Sequence, residues 1–368
     1  MTYSKVKYEG LKKLCHIVFE KFGFNREDSK TITDVLLLSD LYGTESHGVQ
    51  RLIKYYNEIK QGLIIVNSNP QIISETPISA VIDGKAGMGQ LIGKKAMNIA
   101  IKKAKTSGIG MVSVRNSNHY GIAGYYAKMA EKEGLMGISM TNSPAVTVPT
   151  FGKEAMLGTN PIAISIPAEP YPFLMDMATS VVTRGKIEVY NKKKEPLPLG
   201  LALNKDGEDT TDPYDIIYNV PKKLGGGLLP LGGSKELTGG HKGYGFALAV
   251  EIFTAILSGG DTGNYVHLDG KGGSGTCHFL CAVDYGMFGD KKSIEKRLSR
   301  YLSELRNSKK AKGAVRIYTH GEKEVESYND KIKNGIPIND ATLNEIGNIC
   351  KFFHINSSNY IIKVKSIH

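Results

Sequence analysis

Hydrophobic residues in the N-terminal part of the chain recur every three or four positions, the period of a helix with one buried face. The first such run has Leu11, Leu14, Cys15, Val18 and Phe19 on its apolar side. Asn25 precedes a second run and has Asp28 three residues later, a pattern typical of a helix N-cap. Gly62 is a suitable stop for a third helix. Residues 4–61 are therefore predicted to be helical.

Beyond residue 76 short apolar runs, typical of buried strands, alternate with helical periods. Strands are predicted at residues 78–82, 110–114, 136–140, 162–166, 172–175 and 279–283. Helices are predicted at residues 94–105, 125–132, 246–257, 293–306 and 341–352. Residues 191–240 are rich in Gly, Pro, Lys and Asp and predict turns, and their glycine-rich part, 224–240, is either a lid or a surface loop. The alternation predicts an α/β fold.

The composition is that of a globular protein, since 41% of the 368 residues are hydrophobic and 23% are charged. This length allows two domains. No apolar run reaches the roughly 20 residues that a membrane-spanning helix needs. The N-terminus also lacks the pattern of a signal peptide. We therefore expect a cytoplasmic protein with no membrane partner.

The cysteines and the charge argue against two further classes of protein. Four cysteines are too few for a disulfide framework. Cys277 and Cys281 stand in an apolar run, which predicts buried strand thiols and no metal site. The net charge is +11, but the lysines are scattered along the chain. Because there is no clustered basic patch with interleaved aromatic residues, we expect no nucleic-acid partner.

Two histidines carry the candidate chemistry. His47 and Arg51 are four residues apart, so a helix that begins near Ser46 would place both side chains on one face. Arginine can hold a carboxylate with two parallel hydrogen bonds, and imidazole can exchange a proton near neutral pH. The opposite face of this helix would bury Val49, Leu52, Ile53 and Tyr56. His119 follows the strand predicted at 110–114, where a strand gives way to a turn and catalytic groups often lie. Either histidine could instead be structural, with its hydrogen bonds satisfied in the core.

Gly87–Gly93 is similar to the Rossmann fingerprint, whose glycines let a pyrophosphate approach a helix N-terminus. The spacing here is the looser G-x-G-x-x-x-G. The next strand ends at Arg115 and Asn116, with no acidic residue placed for a ribose. A Rossmann site is therefore not expected. Arg115 leaves an NADP-type site open, because a guanidinium can face a 2′-phosphate.

Several segments together resemble the malate/L-lactate dehydrogenase family, which is distinct from the Rossmann malate dehydrogenases and also includes ureidoglycolate, sulfolactate and diketogulonate oxidoreductases. The matching segments are Ser46–Leu52, Asn116–Gly121, Gly158–Pro161, Asp176–Ser180, Arg184–Lys186 and Lys242–Gly245. The resemblance implies a nicotinamide cofactor held by a non-Rossmann, mixed-sheet α/β domain at residues 76–299. It also implies that residues 1–75 and 300–368 form a helical substrate and dimer domain, in a homodimer with the active site near the subunit interface.

The resemblance further implies a set of cofactor-binding residues. They are Ser143, Thr159, Pro161, Asp176, Met177, Ala178, His241, Lys242, Arg297, Leu298 and Ser299. Asp176 could accept hydrogen bonds from ribose or cap a turn or helix. Lys242, among glycines, could meet a pyrophosphate or be an ordinary surface lysine. Thr159–Pro161 could fix the nicotinamide amide or form a turn. Leu298 also fits as plain helix core.

The residues and the resemblance predict reversible oxidation of a 2-hydroxy acid, above all L-malate to oxaloacetate, with NAD as hydride acceptor and NADP as an alternative. Ser46 and Arg51 would bind the substrate, with Arg51 at the C1 carboxylate, and Lys186 would meet the second carboxylate. His119 is favoured over His47 as proton acceptor. Alternatives on the same scaffold are ureidoglycolate, sulfolactate and L-lactate dehydrogenases and a reductase of cyclic imines or other 2-keto acids. A ligand-binding homologue without turnover is the alternative outside enzymes.

Overall fold

The computed structural model of the chain describes residues 2–267 and 272–364. In chain order its strands are β1 (Tyr3–Val6), β2 (Gln71–Glu75), β3 (Ser79–Asp83), β4 (Ile109–Ser117), β5 (Met136–Thr141), β6 (Ile162–Ile166), β7 (Phe173–Met177), β8 (Ala202–Leu203), β9 (Gly227–Leu228), β10 (Thr276–Val283) and β11 (Ile336–Asn339). Its α-helices are α1 (Tyr8–Lys21), α2 (Arg26–Leu41), α3 (Leu52–Lys60), α4 (Gly89–Ser107), α5 (Ala123–Glu131), α6 (Arg184–Lys193), α7 (Gly240–Glu251), α8 (Lys291–Arg306), α9 (Glu322–Asn334) and α10 (Asp340–Phe352). Short 3₁₀ turns lie at Glu45–His47, Val49–Arg51, Tyr285–Phe288 and Ser357–Asn359, and π-helical turns lie at Asp215–Asn219 and Ile252–Ile256.

A seven-stranded sheet in the order β2-β3-β4-β10-β5-β6-β7 forms the centre of the molecule. Its β3–β4 pair is parallel and its other neighbouring pairs are antiparallel. A doubly wound Rossmann sheet is mostly parallel, so the two architectures differ in strand direction as well as order. The predicted α/β class, with a mixed and non-Rossmann sheet, is confirmed.

Helices α4 and α5 cover one face of the sheet. Six of the buried residues on these helices are alanines, namely Ala96, Ala100, Ala104, Ala123, Ala127 and Ala130. Glycines on the facing strands bring the backbones closer still. A Cβ at Gly110 would lie 2.0 Å from the carbonyl oxygen of Ala100, and one at Gly137 would lie 2.0 Å from that of Ala127. This tight layer holds the loop from β4 to α5, which carries His119.

The opposite face of the sheet is covered by α7 and the π-helical turn that follows it. The ring of Phe253 packs against Phe279 of β10 with 4.9 Å between centroids. The Ser113 hydroxyl of β4 donates to the Phe253 carbonyl at 2.7 Å. The outward side of the same helical stretch is apolar and exposed, with Phe246, Leu248, Ile252, Ile256 and Leu257.

The N-terminal and C-terminal segments share one core. β1 pairs antiparallel with β11, with Tyr3 opposite Asn339. The buried set includes Leu11, Leu14, Phe19, Leu36, Tyr55, Ile346 and Ile349. The predicted helical region 4–61 therefore begins as a strand, because its partner comes from the far end of the chain. The predicted cap of α2 is confirmed, since the Asn25 side chain accepts from Asp28 N–H at 2.9 Å.

A smaller hydrophobic cluster joins α6 to the turns that follow it. Its members are Val146, Val182, Ile187, Leu197, Ala202, Ile216, Val220 and Leu228. The first part of the glycine-rich segment is bonded into this unit. Gly226 N–H donates to the Lys153 carbonyl at 2.8 Å, and Leu228 N–H donates to the Val146 carbonyl at 2.7 Å. The backbone at 226–228 is thus tied to the scaffold at both ends.

The four cysteines are free and buried, as predicted for Cys277 and Cys281 in β10. In the described ranges, no helix is long and apolar enough to cross a membrane. No group of three or more His, Cys, Asp or Glu side chains in those ranges could hold a metal ion.

Candidate active site

The segment with the predicted substrate-binding residues forms two 3₁₀ turns. Glu45–His47 and Val49–Arg51 are separated by Gly48, whose backbone is extended. The buried carboxylate of Asp40, on α2, accepts a hydrogen bond from Val49 N–H at 2.7 Å. A Cβ at Gly48 would lie 1.9 Å from Asp40 Oδ1. The prediction of one continuous helix is therefore wrong, because the Asp40 carboxylate fills the space beside Gly48 and takes the first N–H of the second turn.

Ser46, His47 and Arg51 nevertheless lie close together. Arg51 Nε donates to the carbonyl of Ser46, and Ser46 Oγ lies 2.9 Å from His47 Nδ1. The first turn of α6 approaches this group. A Cβ at Gly185 would lie 3.0 Å from Ser46 Cβ and 4.0 Å from a terminal guanidinium nitrogen of Arg51. Lys186, in the same turn, is exposed.

The loop after β4 brings His119 to the same place. The rings of His47 and His119 stack with 5.3 Å between centroids and 29° between planes. The Tyr55 hydroxyl, from α3, lies 2.7 Å from His119 Nδ1. Gln90 Nε2, from α4, donates to that hydroxyl at 2.8 Å. The structure thus joins the two predicted histidines and places a fully buried Tyr55 and Gln90 behind one of them.

Burial lowers the pKa of both histidines. The pKa of His47 falls to about 3, first because the ring is buried and then because Arg51 and Lys54 repel its cationic form. The pKa of His119 lies well below its ordinary value for the same first reason, with further repulsion from Lys54 and His47. Both rings are therefore neutral at pH 7. An anion bound beside Arg51 would raise these pKa values, because an opposite charge favours the imidazolium form.

A cavity of about 560 Å³ is lined by Lys54, one turn after Arg51, and by Arg184, the neighbour of Gly185. Its wall includes Lys54, Arg184, Lys223, His267, Glu154 and Pro144. Lys54 pairs with the buried carboxylate of Glu58, one turn along α3, at 3.5 Å. Burial lowers the pKa of Lys54, and the Glu58 charge opposes that shift. The cavity thus offers the cationic side chains of Lys54, Arg184 and Lys223 to an organic anion.

Two predicted cofactor residues, Ser143 and Thr159, are in direct contact. Thr159 N–H donates to Ser143 Oγ at 3.1 Å. The Thr159 carbonyl accepts from Thr179 N–H at 2.9 Å, and the Thr179 carbonyl accepts from Leu231 N–H at 2.9 Å. The ends of β5, β6 and β7 are thereby bound to the glycine-rich segment. Pro161, Met177 and Ala178 stand at these same strand ends.

Asp176 makes a helix-capping contact. Its Oδ2 accepts from Gly124 N–H, in the first turn of α5, at 2.7 Å. A carboxylate at this place stabilises a helix through its unpaired N–H groups and its dipole. On the sequence alone, Asp176 could be either an acceptor for ribose or a cap. The structure shows the hydrogen-bond partner of the cap, Gly124 N–H.

The remaining predicted cofactor residues fall into two places. His241 and Lys242 are exposed in the first turn of α7. Arg297, Leu298 and Ser299 lie on α8. Ser299 Oγ accepts from Glu169 N–H at 2.9 Å, which puts it at the loop between β6 and β7. Asp176 and Met177 pair with the other end of β6. Within this chain the structure therefore does not bring Arg297–Ser299 to the other predicted cofactor residues.

The glycine-rich loop before α4 is filled by protein. A Cβ at Gly89 would lie 2.2 Å from the carbonyl oxygen of Asn118. Asn118 Nδ2 donates to the carbonyls of Ala86 and Gly87, each at 2.9 Å. These glycines allow close packing against the His119 loop. Protein atoms therefore fill the space in which a Rossmann site would hold a pyrophosphate.

Arg115 is the residue that, on the sequence alone, could face the 2′-phosphate of NADP. Its Nε lies 3.5 Å from the Asp83 carboxylate.

A buried carboxylate on α7 ties the loops together. Glu251 accepts from Asn160 Nδ2 at 2.9 Å and from Asn142 Nδ2 at 3.2 Å. It also accepts from Gly263 N–H at 3.2 Å. Burial raises the pKa of Glu251, and these donors oppose the shift. The residues next to Ser143 and Thr159 are thus positioned by one side chain.

Sequence reasoning missed Asp40, Lys54, Tyr55, Gln90 and Glu251. For Lys54 and Tyr55 a signal existed, because they stand three and four residues after Arg51 and share its helical face. The three others act on segments distant in sequence, and no spacing marks them. The predicted apolar set was nearly right, since Val49 and Leu52 are buried and Ile53 and Tyr56 pack against the same core.

Comparison with known proteins gives a consistent picture. The family model described as malate/L-lactate dehydrogenase matches residues 6–347. A malate dehydrogenase of Pyrococcus horikoshii is 46% identical over 350 residues, which cover 95% of this chain and 96% of that protein. An L-sulfolactate dehydrogenase of Methanocaldococcus jannaschii is 40% identical over 365 residues, 97% of this chain and 99% of that protein. The crystal structure of malate dehydrogenase from Entamoeba histolytica superposes with a TM-score of 0.93 at 37% identity, over 96% of this chain and 99% of the other.

Proposed function

The chain belongs to the malate/L-lactate dehydrogenase family, and from that premise we propose that it interconverts L-malate and oxaloacetate with NAD. Its general class is a dehydrogenase that acts on the CH–OH group of a small 2-hydroxy acid with a nicotinamide cofactor. The observation that carries the finer proposal is the stacked pair His47 and His119 beside Arg51. These residues together supply a proton acceptor and a carboxylate clamp.

Arg51 binds the C1 carboxylate of the substrate in this proposal. A guanidinium presents two parallel N–H groups to a carboxylate and so fixes the orientation of C2. The Ser46 carbonyl orients Arg51 through Nε, which leaves the terminal nitrogens for the substrate. Gly185 in the first turn of α6 stands next to the same guanidinium, since a Cβ added there would lie 4.0 Å from one of its terminal nitrogens.

A neutral histidine takes the C2 hydroxyl proton as the hydride leaves. His119 fills this role and His47, stacked on it, polarises the C2 oxygen. Their lowered pKa values keep both rings unprotonated before substrate binds, which malate oxidation requires. The carboxylates of bound malate then stabilise the imidazolium that proton transfer forms.

The residues near Ser143 fit a nicotinamide cofactor. Asn160 Oδ1 is buried, and in the part of the chain that the structure describes it has no hydrogen-bond partner. An unpartnered acceptor beside the Ser143–Thr159 contact suits the amide N–H of a nicotinamide. Lys242, exposed among glycines, suits the pyrophosphate. When bound, this cofactor exchanges a hydride with C2 of the substrate. NAD is favoured over NADP because the Arg115 guanidinium is already paired with Asp83.

The second charged group of the substrate occupies the cavity beside Lys54. A dicarboxylate needs a second cation, and Lys54 and Arg184 both line that cavity. Lys54 is preferred to the predicted Lys186 because the latter is exposed. A sulfonate has the same charge and similar oxygens, so sulfolactate is the second candidate substrate, which the Methanocaldococcus jannaschii relative supports.

The test is the initial rate of NADH and NADPH oxidation with oxaloacetate, sulfopyruvate and pyruvate. We expect the highest kcat/KM with oxaloacetate and NADH. Arg51→Ala should lower it about 100-fold, because an anion clamp contributes roughly 2–5 kcal/mol and 1.4 kcal/mol is a factor of ten. Arg300→Ala, on the exposed side of α8, is the matched control. A higher kcat/KM with sulfopyruvate would show that the protein is a sulfolactate dehydrogenase. The absence of turnover with every 2-keto acid would refute the proposed function.

The exposed apolar side of α7 supports a further proposal, a homodimer. Phe246 and Ile256 are 56% and 59% exposed and lie on one helical stretch with other apolar side chains. A contiguous apolar surface of this kind is uncommon on a monomer and typical of subunit contacts. In this arrangement a second copy covers α7, whose first turn carries Lys242.

A further inference from the structure

We propose that Tyr55 and Gln90 are positioning residues that decide which ring nitrogen of His119 carries its proton. The inference rests on the proposed function, in which His119 is the proton acceptor. A histidine can accept a proton only at a nitrogen with a free lone pair, so the tautomer determines whether the ring is a base or a donor toward the substrate.

The structure holds His119 in its donor form. Gln90 Nε2 can only donate, and it faces the Tyr55 hydroxyl at 2.8 Å. The Tyr55 proton therefore points to His119 Nδ1, 2.7 Å away. Gly121 N–H also points to this nitrogen, at 3.4 Å. Two donors at Nδ1 require a lone pair there, so the proton of the neutral ring lies on Nε2.

The same residues offer a second arrangement. Gln90 Oε1 is fully buried and, over the described ranges, has no hydrogen-bond partner. Rotation of the Gln90 amide by half a turn would place this oxygen on the Tyr55 hydroxyl. Tyr55 would then donate to Gln90, and its oxygen would accept a hydrogen bond from His119 Nδ1–H. The long contact of Gly121 N–H with Nδ1 would be lost in this arrangement. The neutral ring would carry its proton on Nδ1 and present a lone pair at Nε2. Because Oε1 has no partner, the half-turn breaks only the bond between Nε2 and the Tyr55 hydroxyl and replaces it with one to Oε1.

The second arrangement is the one that catalysis uses. In malate oxidation the hydroxyl proton passes to Nε2 of His119 and the C2–O bond becomes a carbonyl, while the hydrogen on C2 would leave with both bond electrons as a hydride to a bound nicotinamide. The imidazolium then holds one proton on each nitrogen, with Nδ1–H donated to Tyr55. In the reverse direction Nε2 returns its proton to the C2 oxygen. Gln90 thus converts His119 from a resting donor into a base, without any charged group entering the core.

The charged and titratable groups around His119 set the background for its titration. They are His47, Arg51 and Lys54 on the N-terminal side and His278 of β10. All of them oppose the imidazolium form. Glu58, which pairs with Lys54 at 3.5 Å, is the carboxylate on the Tyr55 side of this group. A negative charge introduced behind Tyr55 would stabilise the imidazolium form of His119 and would therefore raise its pKa.

Two substitutions test the proposal. Tyr55→Phe removes the hydroxyl that links Gln90 to the ring, and we expect kcat to fall about 10- to 100-fold with little change in KM, as for a lost partner of a functional histidine. Gln90→Glu keeps the shape but can only accept from Tyr55. It should move the acidic limb of the kcat profile for malate oxidation to higher pH. Tyr56→Phe, whose ring faces the aromatic cluster of Phe22 and Phe353, is the control.

A spectroscopic measurement is independent of turnover. In ¹⁵N-histidine-labelled protein without ligands, the His119 signals, assigned by their loss in His119→Gln, should show Nδ1 unprotonated and Nε2 protonated. Gln90→Glu should reverse this pattern. The same tautomer in both proteins, or a kcat profile that Gln90→Glu leaves in place, overturns the proposal. Absence of turnover in the unsubstituted protein would refute the proposed function alone, because the tautomer can still be read.

Discussion

At the scale of single residues, Gly48 fixes the relation between the histidine and the arginine of the site. Its backbone is extended, which any residue can adopt, so the reason for glycine is space. A Cβ would lie 1.9 Å from Asp40 Oδ1, inside van der Waals contact. We expect Gly48→Ala to lower kcat/KM about 100-fold, since a displacement near 1 Å of catalytic groups costs that much.

The measurement is steady-state kinetics together with thermal unfolding. Gly347→Ala in α10, where an added Cβ meets nothing within 4 Å, is the matched control and should leave kinetics unchanged. A Gly48→Ala protein with unaltered kcat/KM would show that the Asp40 contact does not position His47 and Arg51.

Lys54 is the residue that should distinguish dicarboxylates from monocarboxylates. Its ammonium lines the cavity beside the site and is held by Glu58. Lys54→Met removes the charge and keeps most of the stem. We expect kcat/KM to fall at least about tenfold for oxaloacetate and to change little for pyruvate, which has no second anionic group. Lys60→Met, two turns along α3 and exposed, is the control. If kcat/KM fell equally for oxaloacetate and pyruvate, Lys54 would have a structural role and would not select the substrate.

At the scale of elements, Glu251 joins the end of α7 to the strand ends that hold the predicted cofactor residues. Glu251→Gln keeps the size but puts an amide NH₂ where the Asn142, Asn160 and Gly263 donors converge. A donor facing a donor leaves both unpaired in the core, which costs about 1–3 kcal/mol. We expect a lower melting temperature and weaker NADH binding.

NADH fluorescence suits this measurement, because the chain has no tryptophan to interfere. Glu304→Gln on α8, whose carboxylate is largely exposed beside Arg300, is the control. If Glu251→Gln loses stability but binds NADH as tightly as the unsubstituted protein, the network supports the fold and has no part in the cofactor site.

The elements also show what a sequence can predict. Where a pattern is local, it succeeded: the Asn25 cap, the end of α3 before Gly62 and the bounds 162–166 of β6 agree with the structure. Where the partner is distant, it failed. β1 is a strand because β11 lies beside it, and the helix expected at His47 breaks because Asp40 reaches Gly48. The site follows the same rule, since its histidines were visible as motifs but the residues behind them were not.

At the scale of the whole molecule, three packed units meet at the site. The core shared by the chain ends supplies Arg51 and Tyr55, the central sheet supplies His119, and the cluster around α6 brings Gly185 to the clamp. A ligand that contacts all three units stabilises their arrangement together by mass action. This architecture explains why the catalytic residues are spread along the sequence while each is fixed by its own local packing.

The proposed homodimer gives the molecule its last prediction. An isologous contact repeats one surface on both copies, so a single substitution places two like charges at the interface. Ile256→Lys, at a position 59% exposed in the π-helical turn that continues the apolar side of α7, should therefore dissociate the dimer. Light scattering after size exclusion should give a mass of about 80 kDa for the unsubstituted protein, twice the 40.1 kDa of one chain. For the variant it should give the mass of a single chain.

The control is Leu199→Lys, also exposed, at 68%, but in the turn after α6 and outside the helical stretch of α7 and its π-helical turn. It should remain dimeric. Because α7 begins at the glycines around Lys242, loss of the partner should also weaken NADH binding in Ile256→Lys, and the two effects should share one dependence on protein concentration. A monomeric unsubstituted protein would refute the dimer. An Ile256→Lys dimer with unchanged mass would place the interface on another surface, since a lysine pair is poorly tolerated in an apolar contact.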